Sequence, residues 1–544
     1  MSVRKNSSKA IQLPLYIAIA ICAGVFIGAN MTGTANAHHS SSLIKGLTKF
    51  RQVLTYIEND YVDEVDSEKL INSAIESMLE DLDPHTSYIP PKDLELIQYR
   101  LEDNYEGVGI EFNIFKDTVQ VISPLSGGPS EKLGIRAGDK IIRVDGKNVA
   151  GVGITNQNVV EMLRGPGGSQ VMVSIMRDRE DELLDFQIER DKIPQYSIDA
   201  SYMVDEKIGY IKIARFANST YLEFKEALSK LKKQGMKNLV IDLTGNTGGY
   251  LNRAVQITDE LLAGKQMIVY TNGKEKRYTE QHYSGEKGDF EQGSLVIMVD
   301  EGSASASEIV AGAIQDHDRG LIVGRRTFGK GLVQLPLDLN DGSELRLTIS
   351  RYYTPTGRSI QKNYKTRNLE EYYMEAYERY KNGELYTQDS IKVNDSLVFK
   401  TDKGRIVYGG GGITPDYFVP LDTSQNTKYL NRLFSSNSLQ EYAVKYVQAH
   451  IKELEEMGFE MYQSSFKVAD DMLEELFTLA EENNLPSDET EIERSKKLIK
   501  QLIKAYIARG VWDNNGFYPI FNEQNEIFQK AIRLTDKAQQ LAMQ

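Results

Sequence analysis

The chain has 544 residues, of which 26% are charged and 40% are hydrophobic, and its formal net charge is −14. This length allows several domains, each with its own core. The negative charge excludes nucleic acid as the main partner, because phosphate binding needs a basic face. The single cysteine, Cys22, excludes an intrachain disulfide. It lies in an apolar N-terminal segment, which disfavours a Cys–His nucleophile.

The N-terminus has the pattern of an export signal. Three basic residues, Arg4, Lys5 and Lys9, precede an uncharged apolar segment at 13–29. A small-x-small cleavage site follows at Ala35-Asn36-Ala37. Residues 1–37 are therefore predicted to be either a cleaved signal peptide or an uncleaved membrane anchor. Both outcomes leave the rest of the chain outside the cytoplasm, by the positive-inside rule.

Apolar spacing predicts helices between residues 43 and 80, within an N-terminal helical region at 43–98 that contains the turn Asp83-Pro84-His85. From 99 to 192 the pattern changes to short strands with glycine turns. Strands are expected at 108–114, 119–122, 140–144 and 171–176, and one helix at 156–163. The segment from Ser130 to Gly146 resembles a PDZ domain. In that family a loop like Gly107-Val108-Gly109-Ile110 binds a peptide's terminal carboxylate, and the peptide adds a strand to the sheet edge.

Strands alternate with helices from 193 to 365, which predicts an α/β core built on βαβ units. Strands are expected at 210–214, 239–243, 295–299 and 321–324, and helices at 221–232, at 251–262 and after Ser305. Antiparallel strands are expected at 332–337 and 344–353. An extension with a flexible glycine run should follow at 366–429, and a helical region at 430–544. The terminal helices fit a lid, a dimer contact or a partner surface, and the sequence does not decide among these.

One turn carries a candidate nucleophile. A strand, a small-residue turn and an apolar helix place the segment Gly302-Ser303-Ala304-Ser305-Ala306-Ser307-Glu308 at a helix N-terminus. Backbone N–H groups and the helix dipole can stabilise an oxyanion there. Lys330 follows within Phe328-Gly329-Lys330-Gly331, and a lysine kept neutral by burial can take a serine proton. A Ser–Lys hydrolase is predicted. Spacing alone leaves the three serines equal, and one of them should cap the helix.

These features, in this order, resemble the carboxyl-terminal processing peptidases, also called tail-specific proteases. The resemblance covers roughly residues 50–420. Besides the PDZ loop and the serine turn, the motifs that carry it are Asp83-Pro84-His85, Ile241-Asp242-Leu243, Gly248-Gly249, Thr327-Phe328-Gly329-Lys330-Gly331 with Gln334, and Thr354-Pro355-Thr356-Gly357. It implies a multidomain protein of α/β and α+β class. The regions would be a helical N-terminal region, a PDZ-like domain, an α/β serine-peptidase core and a helical C-terminal extension.

The resemblance also implies roles for individual residues. Ser305 would be the nucleophile, Lys330 the general base, and Gln334 the residue that orients the lysine amine. Asp316 matches an acidic position that supports the site rather than taking part in catalysis.

The oxyanion hole would combine the N–H of Ala306 with that of Gly248 or Gly249. The segment Thr244-Gly245-Asn246-Thr247 departs from the family pattern before its double glycine. The identity of the oxyanion glycine therefore stays open.

The function implied is a serine endopeptidase of the bacterial cell envelope, periplasmic and either soluble or anchored to the inner membrane. It would capture protein or peptide C-termini through the PDZ domain and cleave the tail or degrade the substrate, with no cofactor and no metal. The sequence does not decide whether an adaptor activates the enzyme or whether the protein forms an oligomer. The alternative is a membrane-tethered PDZ adaptor with an inactive peptidase-like domain. Intact Ser305, Lys330 and Gln334 disfavour the adaptor.

Two rival sites are weaker. Residues 324–331 fit a Walker A spacing, but Gly331 lacks the hydroxyl that would hold Mg²⁺. For a Ser–His–Asp triad, the helix after Ser305 should carry His317 away from the hydroxyl, and His85 and His282 are isolated. The sequence has no His-Glu-x-x-His and no paired cysteines, so a metalloprotease is unsupported.

Overall fold

A computed structural model describes residues 37–98, 102–125, 127–177, 180, 182–285, 287–364 and 369–543. The predicted apolar segment at 13–29 lies outside these residues. Of the helices in the described ranges, none is both long enough and apolar enough to cross a bilayer. The chain divides into two compact units, Met1–Asp81 and Leu82–Gln544.

The described part of the first unit, from residue 37 onward, contains two helices, α1 (Ala37–Asp60) and α2 (Ser67–Glu80). Asp66 begins α2 as its N-cap, because its side chain accepts a hydrogen bond from the Lys69 N–H at 3.0 Å. The helices predicted between residues 43 and 80 are confirmed.

The second unit begins with β1 (Ser87–Ile89) and α3 (Pro91–Gln98), and a PDZ-like β-domain follows them. The elements of this domain are β2 (Asn104–Gly107), β3 (Ile110–Phe115), β4 (Thr118–Pro124), α4 (Pro129–Lys132), β5 (Lys140–Val144), β6 (Lys147–Asn148), α5 (Asn156–Leu163), β7 (Gln170–Met176), β8 (Leu184–Glu189) and β9 (Asp191–Pro194). Its antiparallel sheet has the order β3-β4-β5-β7-β8, with β6 paired to β5. Strand β9 pairs with β2. Because β3 lies at the sheet edge, a peptide strand can be added beside it.

The predicted α/β core contains a six-stranded sheet of order β10-β11-β12-β15-β16-β21, in which β21 is Tyr417–Phe418, and the sheet is parallel except for β10. Its elements are β10 (Ile198–Met203), β11 (Ile208–Ile213), α6 (Thr220–Lys233), β12 (Asn238–Asp242), α7 (Leu251–Asp259), β13 (Met267–Gly273), β14 (Gln281–Tyr283), β15 (Ser294–Val299), α8 (Ala306–Asp316) and β16 (Leu321–Gly324). Every residue of β11 and β15 is buried, as expected for a parallel sheet covered on both faces.

A second sheet lies beside this core, with the order β1-β18-β13-β14 and with β17 paired to β18. The elements that complete this part are β17 (Leu332–Asp338), β18 (Glu344–Tyr353), α9 (Leu369–Lys381), β19 (Val398–Lys400), β20 (Ile406–Tyr408) and β21 (Tyr417–Phe418). The predicted flexible glycine run, 409–412, is instead fixed by backbone hydrogen bonds. Gly410 N–H donates to the Ser359 carbonyl and Gly412 N–H to the Ile360 carbonyl.

The C-terminal region is helical, as predicted. It consists of α10 (Lys428–Ser435), α11 (Ser438–Met457), α12 (Phe459–Ser465), α13 (Asp470–Glu482), α14 (Glu489–Phe521), α15 (Glu526–Arg533) and α16 (Thr535–Met543). Helix α14 continues through a kink at Trp512 and Asp513 to Phe521. Helices α15 and α16 cover the second face of the core sheet, where Phe528 and Ala531 pack with Val240 and Val296.

A buried ion pair fixes the C-terminal end of α8. Asp316 Oδ1 accepts a hydrogen bond from Arg358 Nη2 at 2.6 Å, and both side chains have 0% exposure. The same carboxylate also accepts from the Thr356 N–H and hydroxyl. Asp316 therefore supports the turn that follows β18.

We expect Asp316→Asn to lower the free energy of unfolding by about 3 kcal/mol, because it leaves the buried Arg358 charge without its carboxylate. Urea denaturation followed by circular dichroism measures the change. Asp395→Asn, at an exposed position, is the control and should leave the midpoint unchanged. An unchanged midpoint in the Asp316 variant would contradict this role of the ion pair.

Candidate active site

Ser305 lies in the turn between β15 and α8, in an unusual backbone conformation. Its φ is 55° and its ψ is −112°, a region that side chains other than glycine rarely adopt. Such a conformation costs about 1–3 kcal/mol and persists only where the surroundings hold it. Here the Ser305 N–H donates to Glu308 Oε2 at 2.8 Å, and its carbonyl accepts from the Tyr352 hydroxyl at 3.0 Å. The backbone of the candidate nucleophile is therefore fixed from both sides.

The structure separates the three serines of this turn. Ser303 and Ser307 have 0% exposure. Their hydroxyls donate to the carbonyls of Leu243 at 2.8 Å and Asn246 at 2.9 Å. Ser305 is partly exposed and lines a cavity of about 1720 Å³. The two buried hydroxyls therefore attach the turn to a neighbouring loop, and Ser305 is the serine that a substrate can reach.

Glu308 joins the turn of Ser305 to the turn of Lys330. Its carboxylate has 0% exposure and accepts four hydrogen bonds, at 2.5 to 2.9 Å. The donors are the N–H groups of Ser305, Gly329 and Lys330 and the hydroxyl of Thr327. Burial raises the pKa of Glu308 to about 7, and the four donors oppose this rise. Since the donors favour the carboxylate, its protonation would weaken at least one of these contacts.

The role of Glu308 was missed in the sequence, although its spacing from Ser305 is a capping-box signal. No feature of the sequence predicted a role for Tyr352. Its hydroxyl lies within hydrogen-bond reach of the carbonyls of both Ser305 and Lys330. Two buried side chains, from α8 and β18, thus bridge the two turns.

Lys330 lines the same cavity as Ser305. Burial lowers the pKa of its amine, while the charges of Glu308 and Asp83 oppose the shift and that of Arg346 adds to it. No hydrogen bond joins Lys330 Nζ to Ser305 Oγ among the described residues. Contacts of this kind often close only when substrate is bound. A lowered pKa is what a lysine needs in order to accept a proton.

Gln334 also lines the cavity, from β17. Its Nε2 donates to Thr348 Oγ1 at 3.3 Å, and Thr348 Oγ1 donates to Asp83 Oδ1 at 3.1 Å. The described contacts include no hydrogen bond between Gln334 and Lys330. The structure brings Gln334 to the same cavity as the lysine, and its orienting role stays a prediction.

The glycine pair lies directly beside Ser305. A Cβ atom added to Gly248, whose φ is 103°, would lie 2.7 Å from Ser305 Cβ, so the site needs glycine there. The Gly248 N–H donates to Asn246 Oδ1 at 2.8 Å. For the N–H groups of Gly249 and Ala306, the described residues contain no acceptor. Ala306 begins α8, where the first N–H groups have no partner within the helix.

A buried ion pair supports the loop that carries these glycines. Lys212 Nζ lies 3.1 Å from Asp242 Oδ1 and also contacts the Thr244 carbonyl. Asp242 Oδ1 in turn accepts from the Thr244 N–H at 2.8 Å and from its hydroxyl at 2.7 Å. Asn246 Nδ2 donates to the Ile213 carbonyl at 2.9 Å. Thr244 and Asn246, which depart from the family pattern, are therefore the residues that anchor the loop.

The histidines do not assemble a triad with Ser305. His85 Nε2 lies 2.9 Å from the Tyr372 hydroxyl, and burial is the main cause that lowers its pKa to about 4. His317 contacts Asp402 Oδ2 at 2.7 Å and the Met267 carbonyl at 2.6 Å. The described hydrogen bonds connect no histidine to Ser305. The Walker A rival fails as well, because the strand β17 follows residues 324–331 where a P-loop needs a helix.

The predicted carboxylate loop, Gly107 to Ile110, connects β2 to β3 and is buried. The Val108 carbonyl accepts from the Ser130 hydroxyl at 2.6 Å, and the Gly109 carbonyl accepts from the Leu125 N–H at 2.9 Å. Gly109 has a φ of 73°, a conformation that favours glycine. Ile110, at the end of the loop, lines the cavity that contains Ser305. The candidate carboxylate-binding loop and the candidate dyad therefore border the same cavity.

Comparison with known proteins gives four family matches. Peptidase family S41 matches residues 207–370, and a PDZ domain matches 120–177. The N-terminal domain of the activating protease CtpB matches 23–92, and a family of unknown function matches 429–513.

Whole relatives are similar as well. The carboxy-terminal-processing protease of Bartonella bacilliformis is 36% identical over 347 residues, which are 62% of this chain and 79% of the relative. The carboxy-terminal processing protease CtpB of Bacillus subtilis is 34% identical over 62% of this chain and 72% of the relative. Among solved structures, the photosystem II D1 C-terminal processing protease is 32% identical, with 57% of this chain and 83% of that chain covered and a TM-score of 0.33.

A peptidase match over the α/β core and a PDZ match over the β-domain define a serine-type peptidase with an internal PDZ domain. The chain belongs to the carboxyl-terminal processing peptidases, the family that its motifs predicted.

We expect Glu308→Gln to lower kcat about 10- to 100-fold. Glutamine has a single acceptor oxygen, and its NH₂ group would face N–H donors, so one or two contacts worth about 1.5 kcal/mol each are lost. Peptide cleavage assays measure the change, and circular dichroism checks the fold. Glu301→Gln is the matched control, because that carboxylate pairs with Arg325 instead. A folded Glu308 variant with unchanged kcat would show that the bridge does not position the site.

Proposed function

We propose that this peptidase cleaves polypeptides with a Ser305–Lys330 dyad, after its PDZ domain has captured the substrate's C-terminus. One observation carries the proposal. Ser305 is the partly exposed serine of a strained strand–helix turn, and it shares a cavity with a lysine whose pKa is lowered by burial. The buried side chains of Glu308 and Tyr352 bridge the backbones of the two residues.

The chemistry follows from these positions. Neutral Lys330 accepts the proton of Ser305 Oγ as that oxygen attacks the scissile carbonyl. The N–H of Ala306 and that of one glycine stabilise the oxyanion. Among the described residues the Gly249 N–H has no acceptor, so it can donate to the oxyanion directly. The Gly248 N–H would first have to break its hydrogen bond to Asn246 Oδ1. The lysine ammonium then protonates the leaving amine, and an acyl-enzyme remains. Lys330 next takes a proton from water, which hydrolyses the ester, and Ser305 regains its proton. Gln334 would orient the amine.

Substrate capture is assigned to Gly107, Val108, Gly109 and Ile110, whose N–H groups would bind the terminal carboxylate while the tail pairs with β3. We place the PDZ-like domain at 99–192, the peptidase core at 193–365, the core-associated extension at 366–429 and the helical region at 430–544. The basic and apolar pattern of residues 1–37 supports export to the cell envelope, with membrane attachment if the segment is not cleaved. The family resemblance is compatible with an activating adaptor and with an oligomer.

We expect Ser305→Ala to abolish cleavage of an unfolded polypeptide while leaving its binding intact, because the substitution removes only the attacking oxygen. Mass spectrometry detects products, and fluorescence anisotropy measures binding, both without added ATP or metal. Full turnover by the variant would overturn the nucleophile assignment. Binding without cleavage by the unmodified protein would favour the adaptor alternative.

We expect kcat/KM to rise with pH until Lys330 is neutral, with the midpoint below the usual lysine pKa. The sign follows from the base role, since the protonated ammonium cannot accept the serine proton and burial lowers its pKa. A pH–rate profile measured at constant ionic strength checks this. Lys330→Ala should remove the activity at every pH. A profile that is flat across neutral and alkaline pH would contradict the general-base assignment.

A further inference from the structure

Part of the cavity wall around Ser305 comes from outside the peptidase core. Helices α11 and α14 contribute Ala443, Val444, Val447, Tyr506, Arg509 and Asn514 to its lining. All but Asn514 fall within residues 429–513, which match a family of unknown function. The PDZ-like domain contributes Ile110 and Glu111 from β3 to the same lining. A segment without an assigned role therefore borders both the candidate dyad and the candidate peptide-binding strand.

Direct contacts hold this helical wall against the PDZ-like domain. Arg509 Nη2 lies 3.0 Å from Glu111 Oε1, and Asn113 Nδ2 donates to Gln440 Oε1 at 3.1 Å. Glu111 and Asn113 both belong to β3. The described part of β3 pairs through its backbone only with β4. The wall thus contacts β3 through side chains, Glu111 and Asn113, on a strand that lies at the edge of its sheet.

The kink in α14 brings polar residues to the cavity. Asp513 has a φ of 52° and a ψ of −155°, a conformation that costs a residue other than glycine about 1–3 kcal/mol. The kink is held on the core, since Asn515 Oδ1 accepts from the Ser201 N–H at 2.9 Å and the Tyr518 hydroxyl donates to Asp199 at 3.2 Å. Asp513 and Asn514 both line the cavity. Strain that the surrounding structure maintains is typical of a functional position.

The chemistry of this wall suits a polypeptide. The amide of Asn514 can both donate and accept, as a peptide group does. Val444 and Val447 on α11 offer an apolar surface to substrate side chains. Charges of both signs line the cavity, among them Asp199 and Arg215, so no net charge selects a strongly acidic or basic ligand.

We propose that α11 and the kinked α14 form a substrate-binding wall. They bind the extended polypeptide upstream of the C-terminal residue and hold it between the PDZ edge strand and Ser305. The inference rests on the proposed function, and it assigns α11 and the kinked part of α14 to substrate recognition.

The chain's single cysteine permits a direct test. In the full chain carrying Cys22→Ser and Ser305→Ala, Asn514→Cys places one thiol on the wall. Its rate of reaction with a maleimide is measured with and without an unfolded polypeptide that the unmodified enzyme cleaves. Glu455→Cys, at an exposed position of α11 that does not line the cavity, is the matched control. Tyr506→Cys provides a second wall reporter if the Asn514 variant does not fold.

At polypeptide concentrations about ten times Kd, we expect the wall thiol to react about tenfold more slowly, because only the free protein is labelled. The control thiol should keep its rate. A peptide with only the last few residues of the tail should bind without protecting position 514. Equal labelling rates while anisotropy shows the long polypeptide bound would overturn the wall, as would full protection by the short tail. If the unmodified enzyme cleaves no polypeptide, it is the proposed function that has failed.

Discussion

The arrangement of the candidate dyad depends on one buried carboxylate. Glu308 has no exposure, and the described residues supply four hydrogen-bond donors to it but no ion-pair partner. A charge in that position is stable only where several donors converge. Because the carboxylate needs these donors, it holds the turns of Ser305 and Lys330 next to each other, although β16 separates the two turns along the chain. The same charge attracts a proton to Lys330, so the lowered pKa of that amine shows that burial outweighs the attraction.

The loop of the candidate oxyanion glycines is held by the same principle, with a buried ion pair in place of the single carboxylate. Lys212 and Asp242 lie on adjacent strands and contact each other. The lysine amine also donates to the Thr244 carbonyl, and the aspartate accepts from the Thr244 N–H. The carbonyls of Leu243 and Asn246, in the loop after β12, accept hydrogen bonds from the hydroxyls of Ser303 and Ser307. These two bonds fix the glycine pair relative to the turn of the candidate nucleophile. Neither half of the site is held by its own element alone.

The sequence predicted what local pattern determines. The helix at 156–163 and the strand at 321–324 have the predicted bounds, because periodicity and flanking turns specify both. Ser305 could not be separated from its neighbours by spacing, since the distinction depends on carbonyls some sixty residues earlier in the chain. The kink at Asp513 and the fixed glycine run at 409–412 also result from long-range contacts, with β10 and with residues 359–360. Hydrophobic periodicity carries no information about such partners.

The large cavity beside Ser305 and Lys330 has a physical consequence for the proposed mechanism. A cavity of about 1720 Å³ is large enough to hold water beside Lys330, and water stabilises the ammonium form. A polypeptide that fills the space excludes that water, so it lowers the pKa of the amine further and strengthens each hydrogen bond to the developing oxyanion. In the proposed mechanism, substrate binding then favours neutral Lys330 at the moment when the scissile carbonyl, the acyl donor, is present. Glu308 and Tyr352 hold the backbones of Ser305 and Lys330 in place, and this arrangement suits the proposed mechanism, in which bound substrate favours the neutral lysine.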